Sequence, residues 1–116
     1  MPNRRTIAFA ACAGLLITFA PIAESAVAPE LMPEIRLENG KFEPAQLIVP
    51  AESSFKVKVT NRTSAAIEFE SFELHRERVV RPGETITVFM PPLHAGTYPF
   101  FDDFNHAVPR GAIVVK

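Results

Sequence analysis

The chain has 116 residues, among them 12 Lys and Arg and 13 Asp and Glu, so its formal net charge is −1. This balance excludes the broad basic surface by which proteins bind nucleic acid. The single cysteine, Cys12, lies in an apolar opening segment, so the rest of the chain has no thiol for a disulfide, a thiolate zinc site or a cysteine nucleophile. Eleven prolines and five glycines favour many short elements over a helix bundle.

The opening segment has the composition of a secretory signal peptide. Two adjacent arginines precede an uncharged, apolar run at residues 6–22, and small residues follow it. We expect cleavage after Ser25 or Ala26, by the general secretory or the twin-arginine route. An uncleaved membrane anchor is the alternative, but the run is short for a membrane span and contains a proline. The predicted organisation is a signal peptide at 1–26, a linker at 27–33 and one domain at 34–116.

Beyond residue 33, apolar residues alternate with polar ones over short segments. In the clearest segment, Phe55, Val57 and Val59 alternate with lysines and a threonine, which is the period-two pattern of a strand with one buried face. The sequences at 39–40 and 81–84 are typical of turns. Further strands are predicted at 35–37, 47–49, 67–70, 79–80, 85–90, 97–101 and 112–115. Short strands at roughly ten-residue spacing predict an all-β fold, an antiparallel Greek-key β-sandwich or barrel.

Ligand-type side chains are dense in residues 67–77. Glu68 and Glu70 lie two residues apart in a predicted strand, so both carboxylates project from one face and one strand offers two ligands to one site. Glu77 and His75 lie further along as additional candidates. The alternative is a solvated outer strand face, since glutamates are ordinary there.

A second dense stretch occupies residues 98–106. Asp102 and Asp103 follow a predicted strand end, and His106 comes soon after. Adjacent residues of an extended chain point to opposite sides, so we expect one of the two aspartates to face the site. We assign Asp102 as the strand-end ligand and Asp103 as a second ligand or a cap. The alternative is an Asx turn beside a surface histidine.

The order of the motifs resembles that of a cupredoxin. The matching segments are residues 57–61, 82–84, 95–98 and 111–115. Electron-transfer cupredoxins bind copper through two His, a Cys and a weak axial Met. On that pattern Asp102 takes the position of the cysteine, Pro109 lies near that of the methionine, and only His106 fits. Ile67 or Glu68 falls where the first histidine belongs. The resemblance implies a cupredoxin-like sandwich without a blue copper centre.

The chain is more similar to the cupredoxin-like proteins of bacterial iron uptake, the EfeO-type domain and the FtrB-type proteins. The shared pattern comprises residues 68–71, 76–79 and the Phe-Phe-Asp-Asp-Phe sequence at 100–104; here Asn105 separates that sequence from His106. The metal ligands that this resemblance implies are Glu68, Glu70, Glu77, Asp102, Asp103 and His106. It also implies a periplasmic protein that binds iron or copper. Its partners would be an inner-membrane iron permease and a periplasmic iron-binding protein. It would either supply the permease with metal or oxidise iron for it.

The donor types favour a hard cation. Carboxylates in place of thiolate and thioether favour Fe(III), Fe(II) or Cu(II) over Cu(I). Two other functions fit the same residues. One is a copper-dependent ferroxidase or an electron-transfer cupredoxin with a non-blue site, and the other is a metal-free sandwich that acts as an interaction module. No catalytic residue is assigned. Stabilisation by a metal separates the metal-binding hypotheses from the metal-free module, and turnover of Fe(II) identifies a ferroxidase.

Overall fold

The computed structural model describes residues 10–18 and 32–116. All regular structure in these residues is β, as predicted, in nine strands: β1 (Glu34–Glu38), β2 (Lys41–Glu43), β3 (Gln46–Val49), β4 (Phe55–Asn61), β5 (Ile67–Ser71), β6 (Arg76–Val80), β7 (Thr85–Met90), β8 (Gly96–Asp102) and β9 (Gly111–Val115). Every predicted strand is present. Strand β2 was not predicted, because three residues with one buried side chain carry too little alternation.

The opening segment has no helix or strand over residues 10–18. The predicted cleavage point at 25–26 lies outside the described residues. Across 10–18 and 32–116, no helix has the length and hydropathy needed to span a bilayer.

The strands form two sheets, with the orders β2-β1-β4-β7 and β3-β9-β8-β5-β6. The predicted sandwich is therefore confirmed. Both sheets are mixed, since β1 pairs parallel with β4 and β3 pairs parallel with β9. Neither pair is joined by a hairpin, which is the short connection that makes neighbouring strands antiparallel.

The turn between β1 and β2 confirms the sequence prediction. Asn39 and Gly40 have φ angles of 52° and 74°. Two consecutive positive φ angles are characteristic of a type I′ turn, and Asn-Gly is the preferred sequence for it. The turn sets the register of the hairpin, in which Glu38 lies opposite Lys41.

Asn61 positions the connection that leads into β5. Its fully buried side chain donates from Nδ2 to the carbonyl oxygens of Ala65, at 2.8 Å, and Val80, at 3.0 Å. Its Oδ1 accepts from the backbone N–H and the hydroxyl of Thr63, at 2.9 and 2.7 Å. The connection is therefore held against β6, and β5 begins from a defined place at Ile67.

The core lies between the sheets and contains a group of three phenylalanine rings. The ring of Phe100 lies 5.0 Å from that of Phe42, edge to face, and 5.1 Å from that of Phe69. The alternating apolar residues of β4 are buried, as predicted. Because Phe69 and Phe100 face inward, the residues that flank them on β5 and β8 face the outside of the second sheet or its end.

Gly111 lies against the ring of Phe100, and a larger residue has no room there. A Cβ atom at this position would come within 2.3 Å of the ring and 3.0 Å of the carbonyl oxygen of Ala45. We expect Gly111→Ala to lower the free energy of unfolding by about 1–3 kcal/mol, because overpacking displaces the ring or the backbone. Urea denaturation measures the loss. Gly96→Ala is the control, since its nearest contact would be 3.6 Å and we expect a change within about 0.5 kcal/mol. Equal losses in the two variants would refute the steric explanation.

Candidate metal centre

Three carboxylates converge on the outer face of the second sheet. Glu68 and Glu70 lie on β5 and Asp103 directly follows β8; one oxygen from each lies within 4.8 Å of the other two. We call these three side chains the carboxylate cluster. Strands β5 and β8 are neighbours in the sheet. The two stretches predicted to hold ligands, 67–77 and 98–106, therefore lie side by side.

The alternation of β5 places its two glutamates on one face. Ile67 and Phe69 are buried in the core, at 2% and 0% exposure, so the intervening and following glutamates project from the opposite side of the strand. Glu68 is nevertheless only 7% exposed, while Glu70 is half-buried. Neighbouring strands and loops therefore shield the cluster partly from solvent.

Asp102 does not join the cluster. It is 2% exposed, and its Oδ1 accepts hydrogen bonds from the backbone N–H groups of Glu68 and Phe104, both at 3.0 Å. Residues two apart in a strand share a face, so Asp102 lies on the inward side with Phe100. The structure therefore brings Asp103, not the expected strand-end ligand Asp102, to the other predicted ligands.

His106 and Glu77, which were predicted as ligands, border the cluster. The Nε2 atom of His106 lies 2.9 Å from Oδ1 of Asp103. On the other side, Glu77 of β6 lies opposite Glu70 and forms a side-chain hydrogen bond with Glu68. The remaining candidate, His75, lies in the exposed turn between β5 and β6 and is not part of the cluster.

Next to the cluster, an aromatic and cationic group covers the outer side of β8. The ring of Phe101 lies 5.3 Å from that of Phe72 and 6.0 Å from that of His106. The guanidinium of Arg110 lies 4.5 Å from the same ring. Arg110 and Phe72 were not predicted as part of the site, because they come from separate segments and no local pattern connects them. The only available signal was the position of Arg110 in the loop after β8.

Burial and like charges raise the pKa values of two carboxyls of the cluster. The pKa of Glu68 rises to about 7, first because of its hydrogen bond with Glu77 and then because the side chain is buried. The charges of Glu77, Asp103 and Glu70 raise it further. Burial and then the charge of Asp103 also raise the pKa of Glu70, while His106 lowers it. A cation among these groups would relieve the repulsion, so the electrostatics of the cluster favour binding of a positive ion.

Comparison with known proteins identifies the family. The sequence profile of the cupredoxin-like domain matches residues 8–115. The chain belongs to the cupredoxin-like domain family. A curated relative, an uncharacterized protein of Rickettsia prowazekii strain Madrid E, is 35% identical over 83 residues. That match covers 72% of this cupredoxin-like chain and 66% of the relative, so the chain spans just under two thirds of the relative's length.

Solved structures share the fold at low sequence identity. Auracyanin from Roseiflexus castenholzii has a TM-score of 0.63 and 15% identity over 73% of this chain and 96% of its own. The metal-binding domain of the Cu(I)-exporting P-type ATPase of Streptococcus pneumoniae has a TM-score of 0.64 and 15% identity, covering 72% and 82%. A purple cupredoxin from Nitrosopumilus maritimus has a TM-score of 0.55 and 17% identity, covering 72% and 99%. These structures confirm the cupredoxin-like fold; the closer resemblance to iron-uptake proteins stays a prediction.

This chain lacks the residues that form the copper site of an electron-transfer cupredoxin. Such a site needs a cysteine thiolate, two histidines and a weak methionine, whereas residues 32–116 contain no cysteine. At the end of β8, Asp102 instead binds two backbone amides. The carboxylate cluster provides three oxygen donors on the outer face of the sheet, and these fit a hard cation.

Proposed function

We propose that this cupredoxin-like protein binds an iron ion as its cargo at the carboxylate cluster and delivers the ion to an iron permease of the inner membrane. The observation that supports this most is the convergence of Glu68, Glu70 and Asp103, whose ligand oxygens lie within 4.8 Å of one another. Oxygen ligands suit hard cations such as iron. The pKa of Glu68 is raised by its hydrogen bond with Glu77, by burial and by like charges, and that of Glu70 by burial and like charges; a bound cation would remove the like-charge part of both effects.

Two neighbouring side chains are placed to add ligands to the three of the cluster. His106 lies against Asp103 and would supply an imidazole nitrogen, while Glu77 lies against Glu68 and would supply a further oxygen. The nitrogen makes Cu(II) the second candidate cargo, because Cu(II) outcompetes Fe(II) at mixed nitrogen and oxygen sites. The supply of metal in the compartment would then select the ion.

The proposed place of action is the periplasm. The signal-like composition of residues 1–26 supports export. The Phe-Phe-Asp-Asp-Phe sequence at 100–104 supports the link to iron uptake, with the permease and a periplasmic iron-binding protein as partners. Asp103 and His106 are exposed, so a partner could reach the cluster from the loop that follows β8.

Protein purified from the periplasm of an iron-replete bacterial host is expected to begin at Ala26 or Val27 and to hold about one iron ion per chain. Intact mass and elemental analysis measure the two quantities. A Glu70→Gln variant purified in the same way is the control, and we expect it to hold far less iron. The proposal would be refuted if the protein stayed in the cytoplasm with residues 1–26 still attached, or if the exported protein contained neither iron nor copper.

A further inference from the structure

The backbones that carry the carboxylate cluster are tied together by residues 102 and 103. Oδ1 of Asp102 accepts the N–H of Glu68 at 3.0 Å and the N–H of Phe104 at 3.0 Å. The N–H of Asp103 donates to the carbonyl oxygen of Glu68, also at 3.0 Å. Both backbone polar groups of Glu68 are therefore bonded to the segment that carries the third carboxylate of the cluster.

A buried carboxylate at position 102 carries a cost that an apolar residue would avoid. Asp102 is 2% exposed and shares the inward side of β8 with Phe100, and removing a carboxylate from water is unfavourable unless hydrogen bonds compensate. Hydrogen bonds from N–H groups to a carboxylate are stronger than those between neutral groups. Asp102 accepts two of them, one from the backbone of Glu68 and one from that of Phe104, which follows Asp103.

We propose that Asp102 is a positioning residue, which sets the separation of Glu68 and Asp103 and thereby the affinity of the cluster for a hard cation. The inference rests on the proposed function of the cluster. Like charges favour moving apart, and the hydrogen bonds of Asp102 hold the backbone segments that carry Glu68 and Asp103 together before the cation arrives. The unfavourable free energy of bringing the ligands together is then part of folding and does not weaken binding.

Titration with Mn(II), followed by the paramagnetic resonance signal of the free ion, tests the inference without oxidation or hydrolysis of the probe. Asp102→Ala removes the acceptor and is expected to weaken binding about 100-fold, while Asp102→Asn keeps an acceptor oxygen and is expected to weaken binding about tenfold. The matched control is Ser71→Ala. Ser71 is 1% exposed and also connects β5 to β8, because its hydroxyl donates to the carbonyl oxygen of Pro99 at 2.6 Å. Unlike the bonds of Asp102, this bond does not involve a residue of the cluster.

Both Ser71→Ala and Asp102→Asn should lose stability, and only Asp102→Asn should lose affinity for Mn(II). If Asp102→Ala does not fold, the comparison of Asp102→Asn with Ser71→Ala decides. Equal affinity of folded Asp102→Asn and wild type would overturn the inference and leave the proposed function intact, as would an equal loss of affinity in Ser71→Ala. A wild-type protein that binds neither Mn(II) nor iron would overturn the proposed function itself.

Discussion

Iron(II) at a hundredfold excess over its dissociation constant will raise the unfolding temperature of the wild-type protein by about 10–20 °C. A ligand that binds only the folded state at this excess stabilises it by about 2.7 kcal/mol. Each kcal/mol shifts the unfolding temperature of a domain of this size by about 4–8 °C. Glu70→Gln removes one of the three carboxylates, so we expect its affinity to fall by more than the roughly 10–100-fold that loss of an outer partner costs. Anaerobic scanning calorimetry measures the iron-induced shift of the unfolding temperature in wild type and in Glu70→Gln.

Without metal, the same substitution is expected to have the opposite effect. At pH 8 the carboxylates repel one another, so Glu70→Gln should unfold at a higher temperature than wild type in the absence of metal and at a lower one in its presence. Glu34→Gln is the control, because Glu34 is exposed on β1 of the other sheet and should change neither value. Iron stabilisation that survives in Glu70→Gln, or is lost in Glu34→Gln, would place the ion elsewhere.

The metal-free protein is expected to lose stability as the pH rises from 4.5 to about 7. In this window the folded state keeps a proton on Glu68, whose pKa is raised to about 7 mainly by its hydrogen bond with Glu77 and by burial, while the unfolded chain has released that proton. The folded state therefore binds more protons than the unfolded state, and the free energy of unfolding falls with pH. The raised pKa of Glu70 acts in the same direction.

The difference between wild type and Glu68→Gln isolates this effect, since titrations that both proteins share cancel. Urea denaturation across the pH range should show a steeper fall for wild type than for Glu68→Gln. Iron should weaken the fall, because the cation replaces the proton, and iron affinity should rise with pH for the same reason. Parallel curves for the two metal-free proteins would show that Glu68 does not titrate in this range.

The sequence was sufficient to predict the sandwich because its strands carry one strongly apolar face. The alternation of Phe55, Val57 and Val59 and the Asn-Gly turn each have a single local interpretation, and the structure agrees with both. The parallel pairing of β1 with β4 and of β3 with β9 depends on long connections between sheets. No local pattern in the sequence reports that pairing.

The sequence was sufficient to predict which side chains of β5 face the candidate site, but only partly sufficient for β8. The reason is the alternation of side chains along a strand. On β5 the apolar and acidic residues alternate, so Glu68 and Glu70 had to face outward once Phe69 faced inward. On β8 two phenylalanines are adjacent, and either could have faced the core. The structure places Phe100 inside, at 0% exposure, and covers Phe101 with side chains from the outer face. This choice turns Asp102 inward and Asp103 outward.

Anomalous diffraction from crystals soaked anaerobically with iron(II), recorded on both sides of the iron absorption edge, locates the bound iron without reference to stability or affinity. We predict one strong peak between the carboxylates of Glu68, Glu70 and Asp103, and no peak there in Glu70→Gln crystals. A peak at another position, such as the cavity beside Asp102 and Val108, or no peak at all at saturating iron, would show that the carboxylate cluster is not the iron site.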